Sequence, residues 1–153
     1  VNPELARKTG GVGFHVRNDI SILDIKPKTK DYEDAVKTGR LMIKEIELDE
    51  GSLMMANVYG WTGGVAGSEA AQRTDDLLAI AANELDEQEE GPKMIIGDIN
   101  GNLVNFTTIQ NLIQHHGWTD VGSCSHLCHG GAEAPTCNVS ASAEAREGLH
   151  PCQ

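Results

Sequence analysis

The spacing of apolar side chains changes several times along the chain, and each change marks an element. Residues 10–16, Gly-Gly-Val-Gly-Phe-His-Val, alternate small or apolar with polar positions, Asn18-Asp19 reads as a turn, and the apolar positions resume over residues 20–25. Two strands joined by a tight polar turn are predicted there. Residues 26–39 are charged and interrupted by Pro27, which predicts a connection with one helical turn around residues 32–36. Two more strands follow, at 40–48 and 53–59, with Asp49-Glu50-Gly51-Ser52 between them as a hairpin loop containing glycine. The first alternates from Ile43 to Leu48, and the second is apolar nearly throughout, the mark of a more central strand.

The period then lengthens to that of a helix over residues 68–90, with Ser68 as cap, Glu69 in the first turn and Leu77, Leu78, Ile80, Ala81 and Leu85 as an apolar stripe. Gly91-Pro92 ends it. Met94-Ile95-Ile96 is a short apolar run that breaks at Gly97 into Asp98-Ile99-Asn100-Gly101, and it reads as a buried strand carrying polar side chains at its carboxy-terminal end. A second amphipathic helix spans residues 105–116 through Phe106, Ile109, Leu112 and Ile113, and Gly117 is placed to cap it. Four strands, a helix, a strand and a helix predict a mixed α/β sheet, not strict βαβ alternation.

Two strand ends carry candidate chemistry. Asp98 and Asn100 are two apart, so on an extended chain they project from one side. The carboxylate can accept a proton or bind a cation, and the amide can hold an anion. The same Gly-Asp-x-Asn-Gly spacing is equally good turn chemistry, with Asp98 opening an Asx turn. Asn57 and Tyr59 share a face at the end of the earlier strand, where Tyr59 serves either as a polar donor or as a packed aromatic with its hydroxyl at the rim. The Gly-Gly-x-Gly at 10–13 has no helix pattern behind it, which favours close backbone packing over a phosphate loop.

Composition narrows the reading. The 153 residues suffice for one domain, and with aromatics at 4% the core must be aliphatic. Twelve basic against 23 acidic residues give a formal charge of −11, which excludes a broad electrostatic grip on phosphate backbones and leaves local or metal-assisted contact. No apolar run has transmembrane length and no secretory signal opens the chain, so a soluble intracellular protein, cytoplasmic or nuclear and free of membrane partners, is expected. The four cysteines, at 124, 128, 137 and 152, then read as thiols. Cys124, His126, Cys128 and Cys137 are dense enough to suggest a zinc module. Their spacing is not that of a standard finger, so loop thiols and surface histidines are the competing reading.

Taken in order, Gly10-Gly11-Val12-Gly13, Asn57-Val58-Tyr59, Gly97-Asp98-Ile99-Asn100, Trp118-Thr119-Asp120-Val121 and Pro135-Thr136-Cys137 resemble the endonuclease/exonuclease/phosphatase family. The resemblance covers roughly residues 10–137 and is closest to endonucleases of non-LTR retrotransposons. It implies an α/β chain forming part of a two-sheet β-sandwich flanked by helices, the DNase I-like fold, with residues 1–137 a partial domain and 138–153 an irregular or divergent tail. It also implies Mg²⁺-dependent phosphodiester hydrolysis, most naturally of DNA. In that scheme Asp98 orients or deprotonates the attacking water, Asn100 binds the scissile phosphate and Tyr59 stabilises it. Asn57 supports the same substrate rim, and Thr62 stands where some members carry an asparagine. The chain also departs from the family toward both of its ends. Glu4 is badly placed for the metal-binding glutamate, and His150-Pro151-Cys152 stands where the family has Ser-Asp-His. A domain cut short at both ends and weak or inactive alone is therefore expected, with an inactive remnant or interaction module as the alternative function.

Overall fold

The computed structural model describes residues 11–124. Four strands, β1 (Ile22–Asp24), β2 (Leu41–Leu48), β3 (Gly51–Tyr59) and β4 (Lys93–Asp98), lie in that order in one sheet. β1–β2 and β2–β3 are antiparallel, whereas β3–β4 is parallel. Three helices accompany them, α1 (Lys30–Val36), α2 (Glu69–Glu87) and α3 (Thr107–His115). The chain divides into two units, Val1–Ile109 and Gln110–Gln153, with the boundary inside α3.

α1 and α2 lie on one face of the sheet. α2 is the crossover that the parallel β3–β4 pair requires, and its stripe buries Leu77, Leu78, Ala81 and Leu85. α1 packs against both α2 and β2. Beneath them are Leu41, Ile43, Met54, Ala56 and Val58, all buried and all on the same face by the ladder register. Each fully buried aliphatic side chain of this layer contributes roughly 1.5–3 kcal/mol. The opposite face carries Met42, Lys44, Leu53, Met55, Asn57, Tyr59, Met94, Ile96 and Asp98, and of the β2–β4 side chains there only Ile46 is buried.

β4 differs from the buried strand predicted for it. Met94 is 36% and Ile96 38% exposed, because β4 is the last strand of this sheet and among the described residues no layer covers that face. A mixed α/β sheet is what the described residues form; a second sheet is not present among them.

The glycine-rich stretch also differs. Residues 11–17 join no strand, although exposure along them alternates as the sequence pattern requires, with Val12, Phe14 and Val16 half-buried. Their tethers are single hydrogen bonds, Val12 N–H to the Gly39 carbonyl at 3.1 Å and Asn57 Nδ2 to the Gly13 carbonyl at 2.9 Å. Glycines bring no side chain to a cross-strand pair, and the ladder is lost with it. The hairpin is tighter than its four-residue loop predicted, since Gly51, at φ 142°, already pairs with Leu48.

Two buried polar groups fix the helices. Glu84, fully buried on α2, accepts from Lys28 N–H and Gln88 Nε2 with one oxygen, at 2.8 and 2.7 Å. Its other oxygen accepts from the Thr29 N–H and hydroxyl, at 2.9 and 2.6 Å. Thr29 in turn caps α1, which runs for two turns where one was expected. Tyr32 is buried, and its hydroxyl accepts the Ile43 N–H at 2.9 Å, a position on β2 that β1 does not reach. Burial raises the Tyr32 pKa above its ordinary value.

Phe106, fully buried, anchors the start of α3, and Thr108 N–H donates to Asp75 Oδ1 of α2 at 2.9 Å. Gly117 takes φ 70°, and Trp118 N–H returns to the Leu112 carbonyl at 3.1 Å, in keeping with the expected cap. No helix among the described residues is long and apolar enough to cross a membrane.

Glu84→Gln turns an amide NH₂ toward donors whichever way it is placed, since both carboxylate oxygens accept main-chain N–H groups. It is expected to lower unfolding free energy by about 1–3 kcal/mol in urea titration. Tyr32→Phe, which strands the Ile43 N–H, is expected to cost a similar amount. A neutral result for both substitutions would show that these bonds do not hold α1 in place.

Candidate functional site

The parallel register makes Tyr59 and Asp98 neighbours at the carboxy-terminal ends of β3 and β4. They can meet because of the residue beside them. Gly97 pairs with Val58 at φ 136°, and a Cβ built on it would lie 1.9 Å from the Val58 carbonyl oxygen. Beyond the strands the contact continues between loops. Gly60 N–H donates to the Asp98 carbonyl at 2.8 Å and Gly64 N–H to the Asn100 carbonyl at 3.2 Å, while a Cβ on Gly60 would sit 2.4 Å from the Ile99 carbonyl oxygen.

Asp98 is exposed, and its Oδ1 accepts the Asn100 N–H at 3.0 Å, so the Asx turn is formed. Its Oδ2 has no hydrogen bond among the described residues. Asn100 takes the left-handed conformation, φ 52°, and its Nδ2 donates to the Gly60 carbonyl at 3.2 Å. The extended chain ends at Asp98, so the expected projection of Asp98 and Asn100 from one side is not kept. Asn57 lies on the Tyr59–Asp98 face, one of its amide hydrogens held by Gly13. Tyr59 is half-buried, and its hydroxyl makes no hydrogen bond among the described residues. Thr62 is exposed in the loop after β3. Thus Tyr59 and Asp98 stand together, Asn57 and Asn100 flank them with amides partly committed to carbonyls, and Thr62 lies in the adjoining loop.

Sequence reasoning passed over three residues beside this end of the sheet. Arg40, just before β2, donates through Nη1 to the carbonyls of Tyr59 and Gly60 at 3.1 and 2.9 Å. Its guanidinium lies 4.9 Å from the Tyr59 ring centre and 4.6 Å from that of Trp61. Arg73 of α2 approaches the same indole at 5.1 Å. The hairpin register held the signal for Arg40, since continuing the ladder past Leu41↔Val58 sets it opposite Tyr59.

Among the described residues no group of three or more His, Cys, Asp or Glu is placed to hold a metal ion. Asp98 is a single carboxylate, and magnesium held by protein needs one or two carboxylates together with substrate oxygens and water. Asp98 could supply one such carboxylate, and among the described residues no all-protein cage for the ion is formed. Of the zinc candidates, Cys124 is a buried free thiol, and His126, Cys128 and Cys137 lie outside the described residues, as does the domain boundary expected at residue 137. No protein-family model matches the chain, and no curated protein or solved structure matches it either.

Gly97→Ala is expected to lower stability by more than about 3 kcal/mol, because the methyl group meets main chain that cannot move without breaking the β3–β4 ladder. Gly63→Ala, at φ 90° with no atom within 4 Å of the built Cβ, carries only the backbone cost of about 1–2 kcal/mol. Paired thermal melts of the two variants measure the difference. Equal losses would show that the close approach at Gly97 is not limiting.

Proposed function

We propose that the Tyr59–Asp98 strand end is the phosphate end of a phosphodiester-hydrolysing site of the endonuclease/exonuclease/phosphatase type, with DNA as substrate. The observation that carries this reading is the register that sets a phenol beside a carboxylate, with Asp98 Oδ2 open. Hydrolysis of a phosphodiester needs a water held in line and donors for the charge that develops on the phosphoryl oxygens. Asp98 Oδ2 accepts the proton of the water. The Tyr59 hydroxyl and the second amide hydrogen of Asn100 donate to phosphate oxygens, and Asn57 holds the rim of the strand end. The one-sided sheet supports the finer fold as well. A face bearing Met42, Leu53, Met55, Met94 and Ile96 is built to meet another layer, as one half of a two-sheet sandwich does.

A second reading, a module that keeps the phosphate rim without turnover, is favoured by Asp98 standing in no group of three or more metal ligands among the described residues and by the amides already bonded to Gly13 and Gly60.

The test is nicking of supercoiled plasmid by the purified chain with Mg²⁺, Mn²⁺ or EDTA. Weak, metal-dependent nicking is expected, falling roughly 10²-fold or more in Asp98→Ala, the contribution of a general base. Tyr59→Phe is expected to reduce it by about tenfold, the worth of one hydrogen bond to the phosphate. Nicking that survives Asp98→Ala would sink the assignment. A folded chain that does not nick at all would establish the module reading instead.

A further inference from the structure

We infer that Arg40, Trp61 and Arg73 form a second phosphate station, one that binds the backbone of a nucleic-acid strand next to the scissile phosphate. The inference rests on the reading of Tyr59 and Asp98 as a phosphodiester site and adds to it the residues that hold the neighbouring phosphate of the strand.

The chain as a whole carries a charge of −11, and five of the nine lysines and arginines among the described residues stand in ion pairs. Arg17 pairs with Asp19, Lys30 and Lys37 with Asp34, and Lys44 with Asp24. Arg40 has no carboxylate within ion-pair distance among the described residues. Both hydrogens of its Nη1 go to the carbonyls of Tyr59 and Gly60, and its flat face rests on two rings. The edge formed by Nε–H and Nη2–H is left without a hydrogen bond among the described residues. Two parallel donors on that edge match two oxygens of a phosphate. Carbonyls and rings already hold the group in place, so little side-chain entropy is lost when an anion arrives.

Arg73 brings a second guanidinium to the same indole, and its carboxylate neighbour, Glu69, is 3.8 Å away with both side chains largely exposed. Such a long, exposed pair does not commit Arg73 to Glu69. Trp61 thus gathers two guanidinium groups, and their like charge favours an anion beside this ring. The station touches the candidate site directly, since Arg40 lies over Tyr59 as well as Trp61. A nucleic-acid strand carries successive phosphates and can offer one to Asp98 and the next to the arginines, whereas an isolated monoester has only one to offer.

The measurement is fluorescence anisotropy of a labelled single-stranded oligonucleotide against the whole chain in EDTA, across a salt series. EDTA and the parallel use of Asp98→Ala keep binding separate from hydrolysis, so an inactive site and an absent station give different results. Arg73→Gln is expected to weaken binding about fivefold, the worth of one exposed ion pair. It should also reduce the slope of log K against log salt by about 0.7, one phosphate contact to a single strand. Lys30→Gln removes the same charge from α1 and is expected to change neither quantity. Equal effects of Arg73→Gln and Lys30→Gln would overturn the station, as would no binding by the folded chain. Competition by inorganic phosphate at the concentration of the oligonucleotide's own phosphates would assign the arginines to small anions and overturn the nucleic-acid assignment.

Discussion

The pairing of β3 with β4 passes through a point where a methyl group has no room. At Gly97 the neighbouring strand's carbonyl occupies the place of a Cβ, and the backbone takes a φ that other residues rarely adopt. This contact sets the register, and the register sets Tyr59 against Asp98. It also lets the loops beyond the strands close on each other through Gly60 and Gly64. The Gly60 carbonyl then receives both Arg40 and Asn100, so groups from three separate stretches of sequence meet on one acceptor.

Stability and candidate chemistry occupy opposite sides of the sheet. On one side the aliphatic layer under α1 and α2 and the Glu84 network hold the elements together. On the other lie Asn57, Tyr59 and Asp98, where the side chains are half-buried or exposed. Substitutions at the polar strand end can therefore change function while leaving the packed layer intact, which is what makes Asp98 and Tyr59 useful probes.

Much of the sheet was legible because its signals are local. The hairpin, the Ser68 cap, the α2 stripe and the Gly117 cap follow from periods and turn residues that act over a few positions. What the sequence hid depends on partners far along the chain. Glu84 lies in a run with Asp86, Glu87, Glu89 and Glu90, and nothing local shows that Lys28 and Thr29, more than fifty residues earlier, use it. Met94-Ile95-Ile96 reads as buried because apolarity records what a strand is suited to meet, whereas exposure depends on which layers are present. The strand end was legible in its residue types but not in its conformation. The alternatives at Asp98 proved compatible, since one carboxylate oxygen closes the turn and the other stays open. The Arg40–Trp61–Arg73 stack has no motif, only a register that brings it to Tyr59.

The chain has four methionines, and the sheet divides them. Met54 is buried under the helices, while Met42, Met55 and Met94 stand on the other face, Met55 directly beside Met94. Thioethers are flexible and polarisable, so this face can mould itself to an irregular surface where β-branched side chains would demand a fixed one. Met94 is the most exposed of the three, and conversion of such a thioether to a sulfoxide would turn an adaptable apolar surface into a polar one on the side away from the helices. The sheet thus carries a chemically erasable face.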